Sequence, residues 1–192
     1  IKAVSTIIPL YTVFNNGITW ACSQYLGYIG SYYYGKKEYR NLGLATNKTI
    51  LYNLVISIIV VISFFFIIPI IFTNFFEDPE TVSDIDSLSK MMSLAIPLQF
   101  IQFIMNMYFF STKFINHLPY SQIIGLVVQI LLQVIIILGF GNHLVGIGVS
   151  NGMGQLFVVL FNLYYYIFNN PNKETYVPFN YLETIDNFEN YV

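Results

Sequence analysis

The sequence predicts an all-α, polytopic membrane protein with five transmembrane helices. Charged residues make up only 9% of the 192-residue chain against 56% hydrophobic residues, and the mean hydropathy is +0.62, whereas soluble domains carry about 25% charged residues. No Lys, Arg, Asp or Glu occurs in 3–35, 49–76, 91–112 or 114–172. A helix crosses the roughly 30 Å hydrocarbon core with roughly 20 apolar residues, so the first three stretches each hold one crossing and the fourth holds two. The same observations exclude a soluble enzyme and a secreted disulfide scaffold. A net charge of −2, with no basic cluster denser than Lys36, Lys37 and Arg40, excludes nucleic acid as a partner, because a phosphate-binding face needs concentrated positive charge.

The first span, about 6–33, contains Pro9, Asn15, Asn16, Gly17, Gln24, Gly27 and Gly30, a polar and glycine-rich mixture that suits the inside of a bundle. Its Cys22 is the single cysteine; it cannot form an intrachain disulfide and reads as a small buried hydrophobe. The second span, about 50–72, is almost unbroken apolar residues over 58–71 and is expected to face lipid. In the third, about 91–110, Pro97 is followed by Gln99, Gln102 and Asn106, whose spacings of three and four share one helical face. A polar stripe inside a membrane looks inward. The fourth, about 120–140, repeats the pattern with Gln122, Gln129 and Gln133. The fifth, about 144–168, opens with Gly146, Ser150 and Gly154 in one row and Gly148 and Gly152 in another, two small-xxx-small rows that permit close helix approach on two sides.

The bundle is thus expected over 1–168, and 169–192 reads as a linker. There Asn180 is a candidate N-cap with Glu183 three residues on, and Phe179, Leu182, Ile185, Phe188 and Val192 recur at helical spacing, the pattern of an amphipathic helix lying on the membrane surface. Positive residues of short loops stay cytoplasmic. The 35–48 loop with Lys36, Lys37, Arg40 and Lys48, the turn at Lys113 and the tail at Lys173 share one side, against Lys2 and an acid-diluted Lys90 on the other. Five spans with the first end outside and the tail inside satisfy this bias. Because the chain opens on Ile1 without a cleavable signal pattern, it is expected to be a piece of a longer protein.

Catalytic chemistry has little to work with. His117 and His143 sit at opposite ends of one span, and no phosphate-binding loop occurs, so no enzyme, metal site or cofactor is expected. Asn47-Lys48-Thr49 matches the glycosylation sequon, but on the cytoplasmic side it is expected to be unused. Asn15, Asn16, Gln24, Gln99, Gln102, Asn106, Gln129 and Gln133 are candidates for the wall of a wet substrate cavity; the alternative for each is an interhelical hydrogen bond. The Gly and Ser rows of the fifth span are assigned to helix packing.

Several segments in order resemble the multidrug and toxin extrusion (MATE) family of secondary transporters. Gly30-Ser31-Tyr32-Tyr33-Tyr34-Gly35-Lys36-Lys37-Glu38-Tyr39 resembles the G-Q-A-x-G-A segment that closes the family's second helix before a basic cytoplasmic loop, with Ser31 where Gln is usual. Phe72, Asp78-Pro79-Glu80-Thr81-Val82 and Ile96-Pro97 resemble the F-x-x-D-P-E-V…I-P link between its third and fourth helices. The stretch 107–119 is similar to the end of helix four and the proline-led start of helix five. Gly146 and Gln155 resemble the G…Q frame opening helix six, and Tyr176-Val177-Pro178-Phe179 looks like the start of the linker between lobes.

The resemblance implies helices two to six of an N-terminal six-helix lobe plus the inter-lobe linker. It implies an integral, multi-pass membrane protein that exports small organic, often cationic, compounds in exchange for protons or sodium by alternating access. The partners so implied are the lipid bilayer, the organic substrate, and helix one and the C-terminal lobe of the same protein, where the family places its ion-coupling acids. The alternatives are a lipid-linked oligosaccharide flippase of the related superfamily, whose cavity tends to carry basic residues, and an inactive truncated fragment.

Overall fold

The computed structural model describes residues 2–178 apart from 142 and 171, and every regular element among them is helical. Helix α1 (Lys2–Tyr11) runs through a wider, π-type turn (Thr12–Asn16) into α2 (Gly17–Gly35), forming one rod. Pro9, which lacks an N–H to donate, stands just before the widening. The second rod is α3 (Tyr39–Ile62), a π-type turn (Ser63–Ile67) and α4 (Ile68–Thr73). The third is α5 (Pro79–Ser93) and α6 (Ile96–Ser111), broken at Leu94 and Ala95 because Pro97 can sit only in the first turn of α6. Helices α7 (Leu118–Phe140) and α8 (His143–Ile167) follow, and a 3-10 turn (Lys173–Thr175) ends the described chain.

Among the described residues, four helices, Tyr39–Thr73, Pro79–Ser111, Leu118–Gly139 and His143–Ile167, are long and apolar enough to cross a membrane. The first rod is not among them, since Gly, Tyr and Gln dilute the apolar residues of α2. It is counted as the fifth crossing on its helical length and on its packing against α3 and α6.

Two boundaries differ from those the sequence predicts. The second helix begins at Tyr39, so the expected 35–48 loop shrinks to 36–38. Leu42, Ala45, Thr46, Asn47 and Thr49 are buried there, and the Thr46 and Thr49 hydroxyls donate to the carbonyls of Leu42 and Ala45. Charge marks where hydrocarbon ends, but a helix continues wherever a packing surface receives it. Likewise most of the expected 73–90 outer loop is α5. Asp78 caps it, accepting from Glu80 N at 3.3 Å and from the Thr81 hydroxyl at 2.5 Å; the Lys90–Asp86 pair adds an i,i+4 ion pair at 2.7 Å. Thr81, Ile85, Leu88, Ser89 and Met92 form its buried face. The amphipathic helix expected after Pro178 lies outside the described residues.

Helices α2, α3 and α6 pack as a three-helix centre, α8 packs on α5 and α6, and α7 leans chiefly on α8 at one edge. The apolar stretch of α7 is almost wholly exposed whereas that of the α5–α6 rod is mostly buried, so α6 is the axis of the bundle and α7 its rim. One core joins Ile7, Tyr11, Phe64, Ile85, Leu88 and Phe100, and a second joins Leu26, Leu42, Ile104, Met105, Tyr108 and Phe109.

Candidate functional site

Between the two cores α6 meets the first rod and α8 through polar side chains. The π-type turn aims Asn15 into the bundle, where it is fully buried and its Nδ2 donates to Gln99 Oε1. The Thr19 hydroxyl donates back to the Asn15 carbonyl and lies 3.3 Å from Asn15 Oδ1. One turn earlier, the buried Tyr11 hydroxyl stands beside the Asn15 and Asn151 amides without a well-aimed hydrogen bond.

The register of α6 against α8 is fixed at three levels. A Cβ on Gly152 would lie 3.9 Å from Ala95 Cβ, Asn162 Nδ2 donates to Asn106 Oδ1 at 3.5 Å, and the rings of Tyr108 and Tyr166 are 4.8 Å apart edge to face. The two helices therefore run in the same direction, and Gln155 comes level with Gln99. In this column Tyr11 Oη, Gln102 Oε1, Asn151 Nδ2, Gln155 Oε1 and Asn162 Oδ1 are buried without a hydrogen-bond partner. Each such group costs about 1–3 kcal/mol if left dry; water or a polar ligand relieves that cost. The column contains no Asp, Glu, Lys, Arg or His, so it can bind polar groups and water but holds no acid to carry a proton. Among the described residues no group of three or more His, Cys, Asp or Glu could hold a metal ion.

The eight amide candidates thus fall into three places. Asn15, Gln99, Gln102 and Asn106 belong to the column. Asn16 is exposed on the outward side of the first rod, and Gln24 is half-buried at the seam of α2 with α6, its Nε2 4.0 Å from Met107 Sδ. Gln129 and Gln133 are half-buried on α7, separated from the column by α8. The column also contains residues that the sequence reading did not count among the cavity candidates: Tyr11, Thr19, Asn151, Gln155 and Asn162. The three α8 amides are spaced by four and seven residues, a one-face signal overshadowed by the glycines interleaved with them.

Those glycines meet two neighbours. A Cβ on Gly154 would lie 2.9 Å from the Gly125 carbonyl oxygen and 3.0 Å from Gln129 Cβ, and one on Gly146 would lie 2.8 Å from Ile137. On the other side a Cβ on Gly148 would lie 2.5 Å from Met91 Cβ. Ser150 is fully buried and its hydroxyl donates to the Ile147 carbonyl at 3.2 Å.

At the opposite end from the π-type turn of the first rod, the described tail is strapped across the bundle. Thr175 is fully buried; its hydroxyl bonds Tyr108 Oη and receives a 2.8 Å bond from Asn170 Nδ2. Tyr166 Oη donates to the Thr175 carbonyl at 3.3 Å, Asn172 Nδ2 to Tyr34 Oη at 3.2 Å, and Asn47 Nδ2 to the Val177 carbonyl at 3.1 Å. The sequon asparagine is therefore inside the protein. Nearby, the buried His117 ring stacks on Tyr165 at 4.4 Å and meets the Phe109 ring edge-on at 4.1 Å, with neither nitrogen hydrogen-bonded. Burial holds its pKa below the usual histidine value, so it stays neutral.

The MatE family model matches residues 2–135, from α1 through most of α7. No curated protein and no solved structure matches the chain.

Proposed function

Since the chain belongs to the MatE family and is an integral membrane protein of transporter type, we propose that it forms part of a secondary antiporter. On this reading it exports small organic, often cationic, compounds in exchange for protons or sodium by alternating access, together with further helices that supply the acid for ion coupling. The observation that carries the reading is the acid-free amide column between the first rod, α6 and α8. A membrane scaffold gains nothing from buried amides that lack protein partners, whereas the interior of a transporter is wet at some stage of its cycle. The flippase alternative favours basic residues near the bound phosphate, and the column offers none.

The test is transport by the full-length protein in liposomes, with an imposed proton or sodium gradient and a fluorescent organic cation outside. We expect gradient-dependent uptake. In addition, Gln102→Leu, which removes a buried amide oxygen that has no protein partner, should alter that uptake at normal folded yield. Uptake indifferent to both gradients, or translocation of a lipid-linked sugar in its place, would remove the antiport reading.

A further inference from the structure

Each of the first three rods is interrupted once, and each interruption lies within three residues of a proline: the π-type turn Thr12–Asn16 near Pro9, the π-type turn Ser63–Ile67 near Pro69, and the break at Leu94 and Ala95 near Pro97. A proline has no N–H to donate, so a carbonyl one turn earlier lacks its helical partner. Both π-type turns also open on a hydroxyl bonded back along the helix, Thr12 to the Ile8 carbonyl at 2.8 Å and Ser63 to the Ile59 carbonyl at 2.9 Å, a contact that bends helices.

The three interruptions lie at one level. Tyr11, which ends α1, packs edge to face on Phe64 of the second π-type turn with ring centroids 5.6 Å apart. The Lys90 ammonium of α5 lies 5.5 Å from the ring centroid of Phe65 in the same turn. Tyr11, Phe64, Met92 and Ile96 share one buried core, and the last two flank the third break. On one side of this level α1 and α4 both pack on α5; on the other α2, α3 and α6 pack on one another. The lobe is thus two short three-helix bundles in series, a head and a base, each centred on its own core. The strap binds the base, at Tyr108 of α6, Asn47 of α3 and Tyr34 of α2.

We propose that the three interruptions are one hinge, on which the head (α1, α4 and α5) tilts against the strapped base (α2, α3 and α6) and admits water to the amides at the join. Bending one rod alone would tear the core that Tyr11, Phe64, Met92 and Ile96 share, so the three bend together. The bend costs little in backbone hydrogen bonds, because the wide turns and prolines have already given up the regular ladder. It costs little in side-chain bonds, because Tyr11 Oη of the head is unbonded at the join, and entering water satisfies Asn151 Nδ2 and Gln155 Oε1 there. Helix α8 runs unbroken past both bundles, packing on α5 and on α6, and is the rail along which the head moves. This inference goes beyond antiport and does not rest on it.

Hydrogen exchange of the full-length protein in nanodiscs, read by mass spectrometry, tests it first without any substitution. We expect peptides across 12–16, 63–67 and 94–95 to share one opening free energy, lower than that of the α2, α3 and α6 segments of the base. Three unequal energies, or one energy common to the whole bundle, would overturn the proposal. The second measurement pins one break and watches the others. A Cβ on Gly152 would lie 3.9 Å from Ala95 Cβ, against about 3.8 Å in a typical disulfide, so Ala95→Cys with Gly152→Cys, in an otherwise cysteine-free protein, closes a bond between the third break and α8 without displacing either. Oxidation should slow exchange several-fold at 12–16 and 63–67, in two other rods, and reduction should restore it. Exchange unchanged at both turns would overturn the hinge; a pair that does not oxidise leaves the first measurement to decide. A shared opening in a protein that takes up no cation keeps the hinge and removes antiport, and uptake without a shared opening removes the hinge and keeps antiport.

Discussion

Gly43→Ala sets two effects of opposite sign against each other, and the structure decides which is larger. Gly43 lies inside α3, where Ala is favoured over Gly by about 1 kcal/mol. On local grounds the substitution stabilises. A Cβ there, however, would lie 2.6 Å from Val177 Cγ2 and closer still to the Thr175 carbonyl oxygen, so the strap must lift. Lifting breaks the bonds of Thr175 to Tyr108 and Tyr166 and that of Asn47 to Val177. At about 0.5–1.5 kcal/mol net for each bond, the loss is roughly 2–4 kcal/mol, and the expected balance is destabilisation by about 1–3 kcal/mol. Thermal unfolding in detergent measures it, with Gly139→Ala in α7 as control, since a Cβ there meets nothing within 4 Å. Repeating both changes in a chain truncated after residue 169 completes a double-mutant cycle: without the strap Gly43→Ala should become neutral or stabilising. If Gly43→Ala is as stable as Gly139→Ala in the intact chain, the strap does not hold the bundle and the reasoning fails.

Three further outcomes are expected. Gly148→Leu and Gly154→Leu should lower detergent thermostability by about 1–3 kcal/mol through overpacking against Met91 and Gly125, whereas Gly152→Ala, with 3.9 Å to Ala95 Cβ, should be neutral; equal effects at all three would dissolve the two-row packing. His117 has a folded pKa below its unfolded one because burial disfavours its charged form. Its neutral form therefore supports stability above about pH 6.5, and that support is lost as pH falls through the folded pKa. His117→Phe should flatten this acid-side loss of thermostability, and an unchanged pH profile would count against it. With Cys22 replaced by Ser, cysteines at Lys37 and Lys173 should escape an impermeant thiol reagent in intact cells while one at Asp84 reacts; the reverse pattern would invert the orientation.

What the sequence made legible, and what it did not, follows from the range of the interactions involved. Gln99, Gln102 and Asn106 were visible as one face because their relation is local, three and four residues along a single helix. That Asn15 faces the column while Asn16 faces outward was not visible, since an ideal helix sets both only from its phase and the π-type turn at Thr12–Asn16 resets that phase. The strap was invisible for a different reason. Gly43 reads as an ordinary helix-weakening glycine until Thr175 is laid across it, and no periodicity links positions so far apart in the chain. Boundaries erred in one direction: α3 and α5 both begin earlier than the charge pattern predicts, because Lys, Arg and Asp end a membrane but not a helix.

The burial of Asn15 beside the exposed Asn16 has a mechanistic consequence. Asn15 and Asn16 are neighbours in sequence, one bonded to Gln99 inside the lobe and the other exposed, so the first rod is a wall one helix thick between the buried amide column and an exposed outer face. Movement at the π-type turn changes both faces together, because a wide turn that tightens to a regular one rotates every residue before it relative to those after it. Asn15 would then leave Gln99 as Asn16 and Trp20 turn with respect to α1.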